Sequence, residues 1–228
     1  MLCIKNGTLH TIVDPKPFVG DILVNGDKIV KIGRNLSAEA GEIIDATGMQ
    51  VYPGLVDCHS HLGLSGHAVR FEGQDYNEYT DSITPQLQAI DAFNPQDEQV
   101  RMAALGGVTT VGTGPGSSNV LGGTFIAVKT AGTRVDDMII LRKAAMKCAF
   151  GENPKFCYRD KDNSSRMSVA SKLRNVLNKT KEYMAKREAA EAAGEVLKRP
   201  PYDEKLEAMI QVIKGEIPLK AHAHRADD

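Results

Sequence analysis

The chain has 228 residues, 42% of them hydrophobic and 25% charged, with a formal net charge of −1. That length can bury a core in one large domain or two modest ones, and the composition is that of an ordinary soluble globular protein. The near-neutral balance gives no electrostatic case for nucleic acid or an anionic membrane, and the lack of tryptophan argues against base-stacking platforms.

Residues 1–52 read as short strands between tight turns, a small β domain. The runs 2–4, 8–13, 21–24 and 28–32 are β-prone. Asn6-Gly7 and Asn25-Gly26-Asp27 lie between them and are expected to form hairpin turns of the kind that needs positive φ. Residues 43–46 and 50–52 add two more short strands around Gly48.

The character changes at Pro53. Pro53-Gly54 forms a turn, and an apolar strand then ends in His59-Ser60-His61. Side chains alternate along a strand, so the two histidines share a face, with Asp57 two residues behind. Neutral imidazoles are common ligands of borderline divalent metals, so the pair forms half of a metal site. A surface pair is the plainer reading; the strand, the turn and the aspartate weigh against it.

A loop rich in Gly, Asn, Asp and Tyr runs to about residue 93. Asn94 and Pro95 fit the N-cap and first position of a helix over 99–105, which stops at Gly106-Gly107. Residues 108–111 are β-branched throughout and read as a buried strand. The loop-helix-strand order is a crossover unit, so parallel strands with helices outside them are expected. The run Gly112 to Gly123 fits neither the dinucleotide nor the P-loop pattern and reads as a flexible active-site loop.

A third strand is expected within 138–150, ending at Gly151-Glu152-Asn153-Pro154. Residues 168–193 have a helical pattern with Leu173, Val176, Leu177 and Met184 as buried positions. A break at 198–201 precedes a second helix, 203–214, that stops at Gly215. Residues 219–224 then repeat the strand-end geometry with His222 and His224. In α/β folds ligands gather at the C-terminal ends of the strands. Solvated histidines near a terminus are the plainer alternative. One of the pair is enough for a metal, and His224 could equally face substrate or move a proton.

Cys3, Cys58, Cys148 and Cys157 show no C-x-x-C spacing and read as reduced, mostly buried thiols. The first residues lack a basic segment followed by an apolar one, and no apolar run approaches the ~18 residues that span a bilayer. A cytoplasmic protein is the expectation.

Pro53-Gly54-Leu55-Val56-Asp57-Cys58-His59-Ser60-His61 resembles the first-strand motif of the metal-dependent amidohydrolase superfamily. Gly151-Glu152-Asn153-Pro154-Lys155 and the segment from Lys220 to Asp228 look closest to its imidazolonepropionase-like branch. The resemblance runs along essentially the whole chain. It implies an α/β fold, a partial (β/α)8 TIM-type barrel over 53–228 preceded by a small β-sandwich-like unit. It implies one or two divalent metals, zinc foremost, and hydrolysis of a C–N bond in an amide, cyclic amide or peptide-like substrate by metal-activated water. His59 and His61 correspond to the first-strand ligands and His222 to the histidine ending the fifth strand. Glu152 corresponds to a carboxylate that ends the third strand in some branches, and Lys147 to a carboxylated bridging lysine; a helix-capping carboxylate and a solvated lysine are the plainer alternatives. Asp57, His224, Arg225 and Lys147 are the candidates for contacting substrate or orienting a ligand, and Tyr76 and Tyr79 for lining the pocket.

The family pattern also carries a histidine after strand six and a catalytic aspartate after strand eight. This sequence has neither, so it reads as a fragment, truncated after the fifth strand and inactive alone. The expected partner is a small-molecule substrate, with no nucleic acid and no membrane; a homo-oligomer stays open. The competing class is a non-catalytic metal-binding or assembly module, with a metal store or sensor as a weaker third.

Overall fold

The computed structural model describes residues 1–67, 69–162 and 164–228. The chain forms two compact units, Met1–Gly54 and Leu55–Asp228. In the first, β1 (Leu2–Leu9) pairs antiparallel with β2 (Phe18–Asn25), which pairs with β3 (Lys28–Gly33). Two short strands, β4 (Glu42–Asp45) and β5 (Gln50–Val51), run parallel to β1. Gly26, at φ 60°, opens the two-residue β2–β3 turn as expected.

Asn6-Gly7 does not form a turn. β1 runs straight through it, and the register steps from Ile4↔Ile22 to Gly7↔Gly20, one extra residue on β1. Asn6 takes φ 60° and donates its amide to Asp21 Oδ1 at 2.9 Å. The left-handed signal in Asn-Gly was real, but it builds a β-bulge rather than a hairpin. The strand expected over 8–13 ends at Leu9, and Ile12 and Val13 are exposed.

The second unit is built on a five-stranded sheet ordered β10-β9-β8-β7-β6. Its strands are β6 (Leu55–Ser60), β7 (Val108–Thr113), β8 (Leu121–Lys129), β9 (Ile139–Ala149) and β10 (Leu219–His222). The helices are α1 (Glu98–Leu105), α2 (Val135–Met138), α3 (Glu152–Tyr158), α4 (Arg166–Ala192) and α5 (Glu204–Ile213). β6 pairs parallel with β7, and β9 with β10, each through a helical connection. β8 is antiparallel to both its neighbours and interrupts the parallel order that the crossover pattern implies.

β8 begins inside the run Gly112–Gly123 expected to be a flexible loop, taking in its last three residues, because Leu121-Gly122-Gly123 has loop composition and the strand is buried on both faces, leaving no alternation. Its glycines serve close packing. A Cβ on Gly123, at φ 113°, would meet the Leu87 carbonyl at 2.4 Å, and residues 83 and 88 form bridges to β8. The mixed α/β unit is thus a half-barrel. Its curvature brings the two outermost strands together: Lys220 Nζ of β10 donates to the Cys58 carbonyl of β6 at 2.6 Å.

Helices cover the sheet with two apolar clusters. Val100 of α1 packs with Val111, Ile126, Val128 and Met138. Val169, Leu173 and Val176 of α4 and Met209 of α5 pack with Met146 and Cys148. Leu177 is partly buried against the second cluster, and Met184 is half-buried. The cap of α1 is Asp97, whose side chain accepts from Gln99 N, not Asn94, which accepts from Gln96 N in a preceding turn. Ser165 and Ser168 form a capping box on α4, and Asp203 caps α5 through Lys205 N and Leu206 N. No helix among the described residues is long and apolar enough to cross a membrane.

Candidate metal centre

His59 and His61 leave the C-terminal end of β6, and their ring centres lie 5.7 Å apart. At the Zn–N distance of about 2.0–2.1 Å, a tetrahedral ion holds two imidazole centres about 5 Å apart, so this pair fits two ligands of one ion. His61 Nδ1 lies 2.7 Å from the Gly114 carbonyl. That bond fixes the proton on Nδ1 and leaves the Nε2 lone pair for a metal. Tyr76 stacks on the His61 ring, and Phe125 of β8 meets both histidines edge-on, at 5.3 and 6.4 Å. His59 is an exposed position, yet partial desolvation by the packed Phe125 side, then the charges of Lys147 and Lys220, pushes it down to about 4. Its imidazole is therefore neutral near pH 7, as a metal ligand must be.

Asp57 was expected to orient a histidine ring. Its Oδ1 instead accepts the His59 backbone amide at 3.0 Å.

The second pair is built differently. His222 ends β10, paired in register with Ala149 of β9, while His224 lies beyond the strand and is half exposed. The i, i+2 strand geometry therefore does not extend to His224. Asn153 Nδ2 lies 3.2 Å from His222 Nε2, so the amide occupies the lone pair that a metal would need. Burial, then the Lys147 charge, lowers the His222 pKa. Glu152 opens α3, is largely exposed, and its carboxylate lies 3.6 Å from His224 Nδ1. Arg225 pairs with Asp227. Among the described residues no group of three or more His, Cys, Asp or Glu side chains is gathered closely enough to hold an ion. The donors fit a metal by chemistry and, at His59 and His61, by spacing. Among the described residues a third ligand does not converge on them.

Lys147 is fully buried on β9, and among the described residues its Nζ has no hydrogen-bond partner. The solvated-lysine alternative is excluded. Burial lowers its pKa to about 8. It pairs in register with Lys220 of β10, and both ammonium groups lie over the Phe125 ring, at 5.9 and 5.1 Å. A cavity of about 480 Å³ opens beside the first pair, walled by Tyr76, Tyr79, Pro115 and Gly122, with Glu72 and Asp75 also lining it. A larger one, about 580 Å³, runs along α4 and α5; no histidine lines either cavity, and Tyr76 is what joins the smaller one to His61.

No family model matches the chain. The amidohydrolase tasK of Hapsidospora irregularis is 30% identical over 92% of this chain, which spans 24% of that protein. The dihydroorotase of Lactococcus lactis is 59% identical over 68 residues, 28% of this chain and 15% of its own length. The crystal structure of an amidohydrolase from Thermotoga maritima MSB8 superposes with a TM-score of 0.94 at 41% identity, covering 100% of this chain and 59% of that one. These likenesses support the amidohydrolase superfamily. The chain spans under two thirds of each of these proteins.

Around the histidines, four contributors were not legible as such in the sequence: the Gly114 carbonyl, Phe125, Asn153 and Lys220. Phe125 was hidden with its strand. Lys220 was within reach, since it precedes His222 by two residues and must share its face.

Proposed function

We propose that this chain carries the first metal-binding arm of an amidohydrolase that cleaves a C–N bond in an amide, foremost a cyclic amide. The observation that carries the reading is the His61 Nδ1 bond to the Gly114 carbonyl, which orients the His61 ring beside the neutral His59. A divalent metal, zinc foremost, would when bound supply Lewis-acid activation of water and of the scissile carbonyl. His59 and His61 would hold it. His222 would join once Asn153 releases its Nε2, and Glu152 would approach from the first turn of α3. The buried, unpartnered Lys147 amine suits a carboxylated lysine, because a pKa near 8 leaves a share of it neutral at physiological pH.

The likeness to a dihydroorotase favours a cyclic amide, and the Gly151–Lys155 and Lys220–Asp228 segments favour the imidazolonepropionase-like branch. The partial barrel would present the substrate to the strand ends, with the 480 Å³ cavity receiving its body and Tyr76 bordering both cavity and His61. The partner is a small molecule in the cytoplasm rather than nucleic acid or membrane.

Of the charges that weigh most on His59, the one carboxylate is Asp57, and it is held by a backbone amide. It is poorly placed to carry the proton to a leaving nitrogen. The 228-residue chain is therefore expected to hold metal without turning over. That observation, with the absence of a third converging ligand, also favours a second reading, a metal-binding module without catalysis. Equilibrium dialysis against Zn²⁺, run beside a cyclic-amide hydrolysis assay, tests the proposal. The wild-type chain should retain metal and His61→Ala should lose it. A wild type that retains no divalent metal would overturn the metal reading, and rapid hydrolysis by this chain alone would overturn the placement of the base.

A further inference from the structure

We propose that Lys220 is a positioning residue that sets the aim of His59, the first-strand ligand, from the far edge of the sheet. The inference takes the metal role of His59 from the reading above, but the geometry stands without it. Along β6 and β7 the register steps from Asp57↔Val111 to Ser60↔Thr113, so β6 carries one extra residue at Cys58-His59. This is a β-bulge, a device that re-aims a side chain next to an active site.

Two side chains hold the bulge. Asp57 Oδ1 accepts the His59 amide at 3.0 Å, and Lys220 Nζ donates to the Cys58 carbonyl at 2.6 Å. The peptide unit between Cys58 and His59 is thus pinned at its carbonyl by one charged group and at its amide by another. Gly112 faces the same carbonyl from β7, where a Cβ would approach Cys58 O to 2.7 Å.

Lys220 is itself fixed. It sits in the ladder opposite Lys147, with its ammonium over the Phe125 ring at 5.1 Å. Phe125 also touches His59 edge-on at 5.3 Å. Because Lys220 lies two residues before His222, one side chain couples the strand bearing His222 to the peptide bearing His59. β6 and β10 are the outermost strands of the sheet, so no ladder joins these two arms directly.

The test uses the 228-residue chain with Lys220→Met, which keeps the stem, and Lys220→Arg, which restores a donor. Amide hydrogen exchange, read without metal, should speed up at least tenfold at residues 58–60 in the Met variant while the β8–β9 amides keep their protection. Co²⁺ affinity, followed by its visible absorption, should fall about 10- to 100-fold, as for other groups that orient a ligand. The Arg variant should recover most of both. A purely structural lysine would lower the urea midpoint and leave the residue 58–60 pattern and the Co²⁺ spectrum alike in both variants. Unchanged exchange at His59 in Lys220→Met overturns the inference, even where wild-type Co²⁺ binding upholds the metal reading. Localised exchange with no Co²⁺ binding by the wild type upholds the bulge and sinks the metal reading alone. Gly112→Ala presses on the same carbonyl from β7 and decides the matter where the Met variant does not fold: normal exchange at 58–60 there overturns it.

Discussion

The two His-x-His segments have the same spacing and unlike surroundings. His59 and His61 are buttressed by Phe125 and Tyr76, His61 is tied to the Gly114 carbonyl, and the peptide before His59 is gripped by Asp57 and Lys220. His222 leans on one amide, Asn153, and His224 has left the strand for solvent, with the exposed Glu152 3.6 Å away. Spacing alone nominates a pair of ligands. What qualifies them is the set of groups that fixes ring orientation and protonation, and the second pair has fewer of these.

The contrast breaks most visibly at Phe125, which is 1% exposed and touches both rings of the first pair. Phe125→Ala should cost about 3–5 kcal/mol in urea denaturation, because it empties a buried aromatic site. It should disturb His59 and His61 while sparing the His222–Asn153 contact. Histidine ring NMR shifts report this directly, and equal shifts at all four rings would erase the distinction.

A smaller effect separates the pairs by metal binding. His61→Ala should lower divalent-metal affinity by more than the about 10- to 100-fold typical of an orienting group, whereas His224→Ala should change it little. Comparable losses by titration calorimetry would show that the terminal histidine is a ligand despite its exposure.

The last effect concerns pH, and solvent screening of the exposed His59 makes it the smallest. In the folded, metal-free chain His59 titrates near 4, against about 6.5 when unfolded. Unfolded chains therefore bind a proton that folded ones refuse in that window, so stability falls as pH drops from about 6.5 to 4. The lowered His222 acts in the same direction. Urea midpoints measured across the window should fall with acid, and His59→Asn should flatten the slope. An unaltered slope in that variant would assign the proton uptake elsewhere.

Much of the architecture was readable from periodicity and punctuation. The α4 and α5 helices, the parallel β6–β7 crossover, the β9 strand end and the start of β10 lie where apolar spacing and glycine stops put them. The failures share a physical cause. Asn6-Gly7 and Leu121-Gly122-Gly123 carry glycine because another segment packs against them, Val51 in one case and Leu87 in the other. A lone sequence does not distinguish that demand from a turn. The site shows the same limit. His59, His61 and His222 were legible as a pattern, but the partners that differentiate them, a carbonyl at 114, an amide at 153 and an ammonium at 220, depend on pairing across distant strands.

The antiparallel β8 has a consequence for how the half-barrel assembles. β7, β8 and β9 form a meander whose pairings join residues close in the chain, such as Thr113 with Ile126 and Phe125 with Ala145. β10 pairs with β9 across more than seventy residues, as Cys148 does with Ala221. Local pairings cost less loop entropy, so the meander can form early and offer β9 as a template for the late-arriving β10. Phe125, at the centre of that meander, would then be in place before either histidine pair reaches it.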